Sequence, residues 1–423
     1  MKQLILYGLA SGFNRGGMFL ILPLLSSLLS IADYGQFSIY IVIVQLLVPF
    51  ISLNIVSIVG REIFEKFRVT VYFTVFFVRC ATIIILLCSL MYYYYTSVIL
   101  LIVIYALMES LFLIISTFVR FKSSSEDYFY ICVSKMVLLI FLLAFFYYAE
   151  RNYLSSVSVL LMIFSLSNLS MVLPYWRFLT GVKVRNRRLI ATLSKQSAII
   201  LFALGILPHT LAQWVTSGAD RFFVKYYGGE IQLGYYSYGY AIAAVYMVVN
   251  SALALGMPQL CVQKFATYSA TKFFTRYKYF VTVLWLAFFA VVNIGLFTIK
   301  TKYSVSELYW VIYFVLVGMY FLSYYYYYYY YSSYLFYARK SKLLSGITIT
   351  TALVNIGLIL VLTPLLGIKG TAMSTAGSYG IYTCLTYYYA SKFYKIKGVL
   401  FPVVFIIFFT ILIYLIDIYK YAF

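Results

Sequence analysis

Continuous apolar runs of roughly 18–25 residues, each long enough to cross a bilayer as a helix, recur along the whole of this 423-residue chain. At a rise of about 1.5 Å per residue, one run reaches across the ~30 Å hydrocarbon layer. The runs do not alternate apolar with polar residues, which excludes a transmembrane barrel. Charged residues make up only 10% of the chain. A soluble domain carries about 25%, so no water-facing domain is left to find. The runs predict an all-α polytopic membrane protein with spans at 4–29, 36–60, 69–95, 98–119, 128–149, 154–179, 196–218, 234–257, 279–299, 306–334, 344–366, 370–391 and 398–419. The start, Met1-Lys2-Gln3, leads into a run with no A-x-A cleavage pattern after it, and it reads as a retained first span.

The net charge of +21 would suggest nucleic acid in a soluble protein, but its distribution suggests otherwise. With the N-terminus in the cytoplasm, Lys2 and the even-numbered connections hold 21 of the lysines and arginines. The odd connections and the C-terminal tail hold seven: Arg151, Arg221, Lys225, Lys300, Lys302, Lys369 and Lys420. Such a bias, kept through alternate loops, is the positive-inside pattern. It predicts a multi-pass inner-membrane protein with a cytoplasmic N-terminus, attracted to anionic lipid and not to nucleic acid. The longest basic segment, Lys183 to Lys195, separates two sets of six spans. The expected organisation is an N-terminal six-helix bundle (1–182), a cytoplasmic linker (183–195), a C-terminal six-helix bundle (196–391) and an accessory helix (392–423). Six spans per half makes the halves parallel repeats. Their echo in sequence is short: Asp33-Tyr34-Gly35-Gln36-Phe37-Ser38 against Gln232-Leu233-Gly234-Tyr235-Tyr236-Ser237.

Charges inside the spans are the candidate functional residues. An ionised side chain at the bilayer centre costs about 2.5–3.5 kcal/mol on insertion scales, so each needs a partner, a wet cavity or a route to the interface. Arg15, beside Asn14, lies in the first span, Arg79 in the third and Lys135 in the fifth. Glu109 is the acid at comparable depth. One carboxylate cannot neutralise three bases, and guanidinium groups suit phosphate oxygens. Arg15, Arg79, Lys135, Asn14 and Asn54 are therefore the expected binders of an anionic cargo. An interhelical salt bridge is the competing explanation. Glu109, His209, Asp220 and Arg221 are candidates for ion coupling or for structural roles. The amides Asn54, Asn168, Asn250, Asn293 and Asn355 are expected to bond between helices.

No His, Cys and carboxylate set has metal-ligand spacing, and no phosphate-loop pattern is present. No cofactor and no catalytic residue are expected. The five cysteines sit singly within apolar runs and read as small hydrophobes. The unbroken run Tyr324 to Tyr331 covers every face of a helix. It is expected to lie largely in an interfacial belt, unless the face of Tyr324, Tyr327, Tyr328 and Tyr331 lines a sugar path.

Two stretches resemble a known family. Ser217-Gly218-Ala219-Asp220-Arg221-Phe222-Phe223, followed by Leu233-Gly234-Tyr235-Tyr236-Ser237, is similar to the Asp-Arg-Phe and Gly-x-Tyr motifs of Wzx-type polysaccharide (O-antigen) flippases. These belong to the MATE-like exporter superfamily. Asn355 through Leu358, then Pro364-Leu365-Leu366-Gly367-Ile368-Lys369-Gly370-Thr371-Ala372 and Ser374-Thr375, resembles that family's Asn-x-x-Leu and Pro-x-x-Gly-x-x-Gly-Ala-Ala series. Thr371 stands where the family has alanine. The resemblance implies two six-helix bundles in a MATE-like arrangement. It also implies translocation of an undecaprenyl-diphosphate-linked oligosaccharide for O-antigen or surface polysaccharide assembly, alongside other polysaccharide-assembly membrane proteins. Arg15 would then meet the diphosphate. The alternatives are an ion-coupled drug or small-molecule exporter of the same fold, and a polysaccharide polymerase or membrane glycosyltransferase.

Overall fold

The computed structural model describes residues 10, 21, 25, 28–52, 54, 97–122, 125–149, 156–170, 205–254, 270–298, 305–331, 341–392 and 400–422. Among them the helices are α1 (Ile31–Ile51), α2 (Ser97–Lys122), α3 (Ser125–Ala149), α4 (Val157–Ser167), α5 (Gly205–Ala254), α6 (Ala270–Thr298), α7 (Val305–Tyr331), α8 (Ser341–Ser391) and α9 (Leu400–Ala422). The protein is an all-α, multi-pass membrane protein. Seven of the described helices are long and apolar enough to cross a membrane, and α5 and α8 are long enough to do so twice. The chain divides into two compact units, Met1–Ala241 and Ile242–Phe423. The basic segment 183–195 lies outside the described residues.

Within the first unit, α1 begins five residues before the expected span because Ser30 caps it. The Ser30 hydroxyl accepts from the Asp33 amide at 3.2 Å, and Asp33 adds a negative charge to the first turn. The helix ends early as well. Pro49 cannot donate to the turn before it, and Asn54 adopts a left-handed conformation (φ 53°) with its amide on the Pro49 carbonyl at 2.8 Å. The side chain of Asn54 then reaches Thr210 Oγ1 of α5 at 3.1 Å. α1, α2 and α4 meet around Phe164, whose ring stands edge-on to Phe37 at 5.4 Å and to Tyr105 at 6.1 Å. α3 leaves Tyr130, Val137, Ile140, Phe141, Phe145 and Tyr148 exposed. In a membrane these contact lipid tails. Of the first apolar run, Ala10 is buried against Tyr128 and Cys132 of α3.

Within the second unit, α7 is the central helix. Neighbouring side chains donate to its backbone carbonyls at four levels. Trp285 bonds Leu316 O at 2.9 Å, Asn250 bonds Met319 O at 3.0 Å, Thr383 bonds Phe321 O at 2.8 Å and Tyr277 bonds Ser323 O at 2.5 Å. The tyrosine run departs from the interfacial expectation. Tyr324, Tyr325, Tyr327 and Tyr328 are buried, against Tyr277, Tyr382 and Tyr387. Their rings are large enough to fill a helix interface, and the Tyr324 hydroxyl shares a hydrogen bond with that of Tyr320 at 3.2 Å. Asn355 bonds Ser378 at 3.1 Å between the arms of α8, whereas Asn293 bonds the Phe289 carbonyl of its own helix at 2.7 Å.

α5 and α8 are hairpins of two long arms, each turned by a glycine that an L-residue could not replace without strain. Gly229 has φ 74°, ψ −173° and Gly367 has φ 62°, ψ −141°. The stretch 219–233 was expected as a loop. It is helical on both sides of Gly229, because the backbone outside the lipid still closes its own bonds. At the α8 turn, a Cβ on Gly370 would collide with the Leu362 carbonyl, and Thr371 bonds Thr363 at 2.9 Å. The Pro-x-x-Gly-x-x-Gly-Thr stretch is thus a turn followed by a close approach. Gly367→Val is expected to lower stability by about 1–3 kcal/mol, seen as an earlier loss of monodisperse protein on heating in detergent. Unchanged thermal behaviour would refute the turn.

Candidate functional site

Glu109 lies midway along α2, where mostly apolar residues surround it. Helix α3 runs back beside α2 and brings Lys135 to it. Lys135 Nζ sits 2.9 Å from Glu109 Oε2, and the two side chains are 13% and 20% exposed. Asn168, the residue that ends α4, donates its Nδ2 to the same oxygen at 3.1 Å. The ammonium also stands over the Phe112 ring, 3.9 Å from its centre, a favourable cation–π position. Asn168 is fully buried, and its Oδ1 accepts no hydrogen bond among the described residues. Three helices therefore converge on one carboxylate, with one acceptor left over. The arrangement stabilises a charge that the apolar surroundings would otherwise penalise by several kcal/mol.

The second polar group closes the α5 hairpin. Asp220 is fully buried. It accepts from Tyr236 Oη at 2.5 Å and from the Arg221 amide at 2.9 Å, and it pairs with Arg221 Nη1 at 3.3 Å. Arg221 also donates to the Ser217 carbonyl at 3.3 Å and lies 4.4 Å from the Tyr240 ring centre. Tyr240 Oη bonds the same Ser217 carbonyl. The Asp-Arg-Phe stretch thus ties one arm of α5 to the other.

The residues expected from sequence fall into three sets. Glu109 and Lys135 come together, and Asn168 joins them. Asp220 and Arg221 pair with each other in the other cluster. Asn54 bonds Thr210, the residue that follows the half-buried His209. Arg15, Arg79 and Asn14 lie outside the described residues. Among the described residues, no group of three or more His, Cys, Asp or Glu side chains could hold a metal ion. The role of Asn168 as a third member was not legible from its spacing. It shows only once α4 is placed beside α2.

No protein-family model matches the sequence, and no characterised relative matches it significantly. Solved structures do match. A MATE transporter in complex with MaD3S superposes with a TM-score of 0.57 at 16% identity, covering 92% of this chain and 95% of that one. The inward-facing form of a multidrug resistance MATE family transporter of the MOP superfamily gives 0.54 at 14% identity, over 92% and 94%. A MOP superfamily transporter from Pyrococcus furiosus gives 0.51 at 14% identity, over 92% and 95%. The structures that this chain resembles are those of transporters, not enzymes. At such identities the likeness is one of fold, and over nearly its whole length this chain has the fold of the MATE-like transporters of the MOP superfamily.

Proposed function

We propose that this chain is an ion-coupled exporter of small amphipathic molecules, working by alternating access in a bacterial inner membrane. The observation that carries this reading is the likeness, over 92% of the chain, to structures of multidrug resistance MATE family transporters. The Glu109–Lys135–Asn168 cluster is the candidate coupling group. A carboxylate shared by two donors, with a spare oxygen beside it, can exchange an ammonium partner for a proton or a small cation. In this reading the energy comes from an ion gradient, and the sequence carries no phosphate-loop pattern.

A second reading, export of an undecaprenyl-diphosphate-linked oligosaccharide, is favoured by a specific observation. Glu109 and Asp220 each face a base, so neither offers an unpaired carboxylate to a cationic drug. Arg15 and Arg79 would add positive charge to the same half of the chain. The Pyrococcus furiosus transporter of similar fold is described as having a binding pocket of reversed polarity that suggests a different function. A fold of this kind is thus compatible with a cargo of opposite charge.

The two readings separate in one pair of assays. In cells lacking their own efflux pumps, the chain is expected to lower ethidium retention, and Glu109→Gln at equal membrane abundance is expected to abolish that effect. Movement of a fluorescent diphospholipid-linked oligosaccharide in vesicles, with no dye export, would transfer the assignment to the second reading. If neither cargo moves across an imposed proton or sodium gradient, both readings fail.

A further inference from the structure

The two echoing hexapeptides of the sequence touch each other in the structure, and they do so reciprocally. A Cβ added to Gly35 would lie 3.0 Å from the carbonyl oxygen of Glu230 and 2.8 Å from the Gly234 amide. A Cβ added to Gly234 would collide with the carbonyl oxygen of Ile31. One turn further on, the hydroxyls of Ser38 and Ser237 share a hydrogen bond of 2.6 Å, 199 residues apart in sequence. Gly35 and Gly234 are separated by that same interval, as are Ile31 and Glu230. Each residue thus meets its own repeat mate, or the mate of its neighbour. A local two-fold axis passes between the paired serines, as at the contact between identical subunits.

The residues suit a joint that opens. Glycine at both crossing points lets the two backbones approach as closely as helices can. The polar side-chain bonds at the outer edge of the joint are exposed. Gln36 donates to Glu230 at 2.8 Å, and Lys225 pairs with Glu230 at 3.2 Å with both side chains more than two-fifths exposed. Tyr34 stands edge-on to Tyr238, with ring centres 6.0 Å apart. Exposed pairs of this kind contribute little each, in contrast to the fully buried Asp220 that ties the arms of α5. Both helices also start at the contact: α1 after its Ser30 cap and the second arm of α5 after the left-handed Gly229. Deeper along α1, Trp214 donates to the Val42 carbonyl at 2.8 Å, and Val42 is buried against Gly218. The loop-charge bias puts residues 31 and 230 at the outer face.

We infer that Gly35, Ser38, Gly234 and Ser237 form a pseudo-symmetric latch, built from the internal repeat, that closes the outer end of the path and separates when cargo is released. This rests on the alternating-access reading above. The test uses full-length protein without native cysteines, with a protease site placed in segment 183–195. Ser38→Cys with Ser237→Cys is expected to cross-link on oxidation, holding the two fragments together after cleavage, and to stop export until reductant is added. Failure to cross-link, or a cross-linked protein that still exports, would overturn the latch. A second arm does not depend on knowing the cargo. Val42→Cys is expected to resist a membrane-impermeant maleimide added to intact cells, and to react several-fold faster when Gly234→Leu wedges the joint. If the cross-link forms and labelling rises while no cargo moves, the latch stands and the cargo assignment falls. If Val42→Cys labels equally with either residue at 234, the latch is refuted.

Discussion

Replacing Asp220 with alanine is expected to destabilise the protein by about 3–5 kcal/mol. Asp220 is fully buried, and three donors converge on it: Tyr236 Oη, the Arg221 amide and the Arg221 guanidinium. Its removal leaves the guanidinium buried, facing the Ser217 carbonyl and the Tyr240 ring with no carboxylate to balance its charge among the described contacts. It also leaves Tyr236, itself fully buried, without an acceptor for its hydroxyl. Loss of monodisperse protein on heating in detergent would report the change. The double variant Asp220→Ala with Arg221→Met removes the stranded charge and should recover a substantial part of the loss. If the double variant is no more stable than the single one, the pair is not what holds the α5 hairpin.

Lys135→Met ranks second, at about 2–3 kcal/mol. The smaller figure reflects residual exposure, since Glu109 and Lys135 keep 20% and 13% of their side-chain surface. The methionine fills the space over Phe112 but leaves the Glu109 carboxylate with Asn168 alone. Adding Glu109→Gln should restore most of the stability, because the amide carries no charge to strand. Export should stay absent in that double variant if the pair couples to the gradient. Stability recovered together with export would reduce the cluster to a structural role.

The reach of the sequence varied along the chain for physical reasons. The fourth and fifth spans were expected at 98–119 and 128–149 and are found at Ser97–Lys122 and Ser125–Ala149. Their apolar runs end abruptly in Arg120, Lys122 and Ser125-Glu126-Asp127, which cannot enter lipid. The turn near Gly229 was harder to place. Tyr226, Tyr227 and Ile231 look apolar in sequence but are exposed, and the helix continues past its buried part. The pairing of Lys135 with Glu109 depends on the relative rotation of two helices, which composition does not encode. The burial of Tyr324, Tyr325, Tyr327 and Tyr328 was hidden for a related reason, since a run of one residue type has no periodicity to show an inward face. The echo between residues 33–38 and 232–237 was visible, but similarity between two segments does not say that they touch.

The glycine turns of α5 and α8 also bear on how such a chain enters its membrane. An isolated span must cross the insertion machinery and then find its neighbour. At each of these turns, the two arms are already joined by contacts within reach of the turn itself: Asp220 with Tyr236 in one, Thr363 with Thr371 and Gly370 against Leu362 in the other. The tip of α8 carries one charge, Lys369, between Pro364 and Thr371. Paired arms with so small a polar tip can pass into the bilayer as one unit. Insertion of α8 as a hairpin is the expected consequence, and substitutions at Gly367 should appear first as failed insertion and degradation during synthesis.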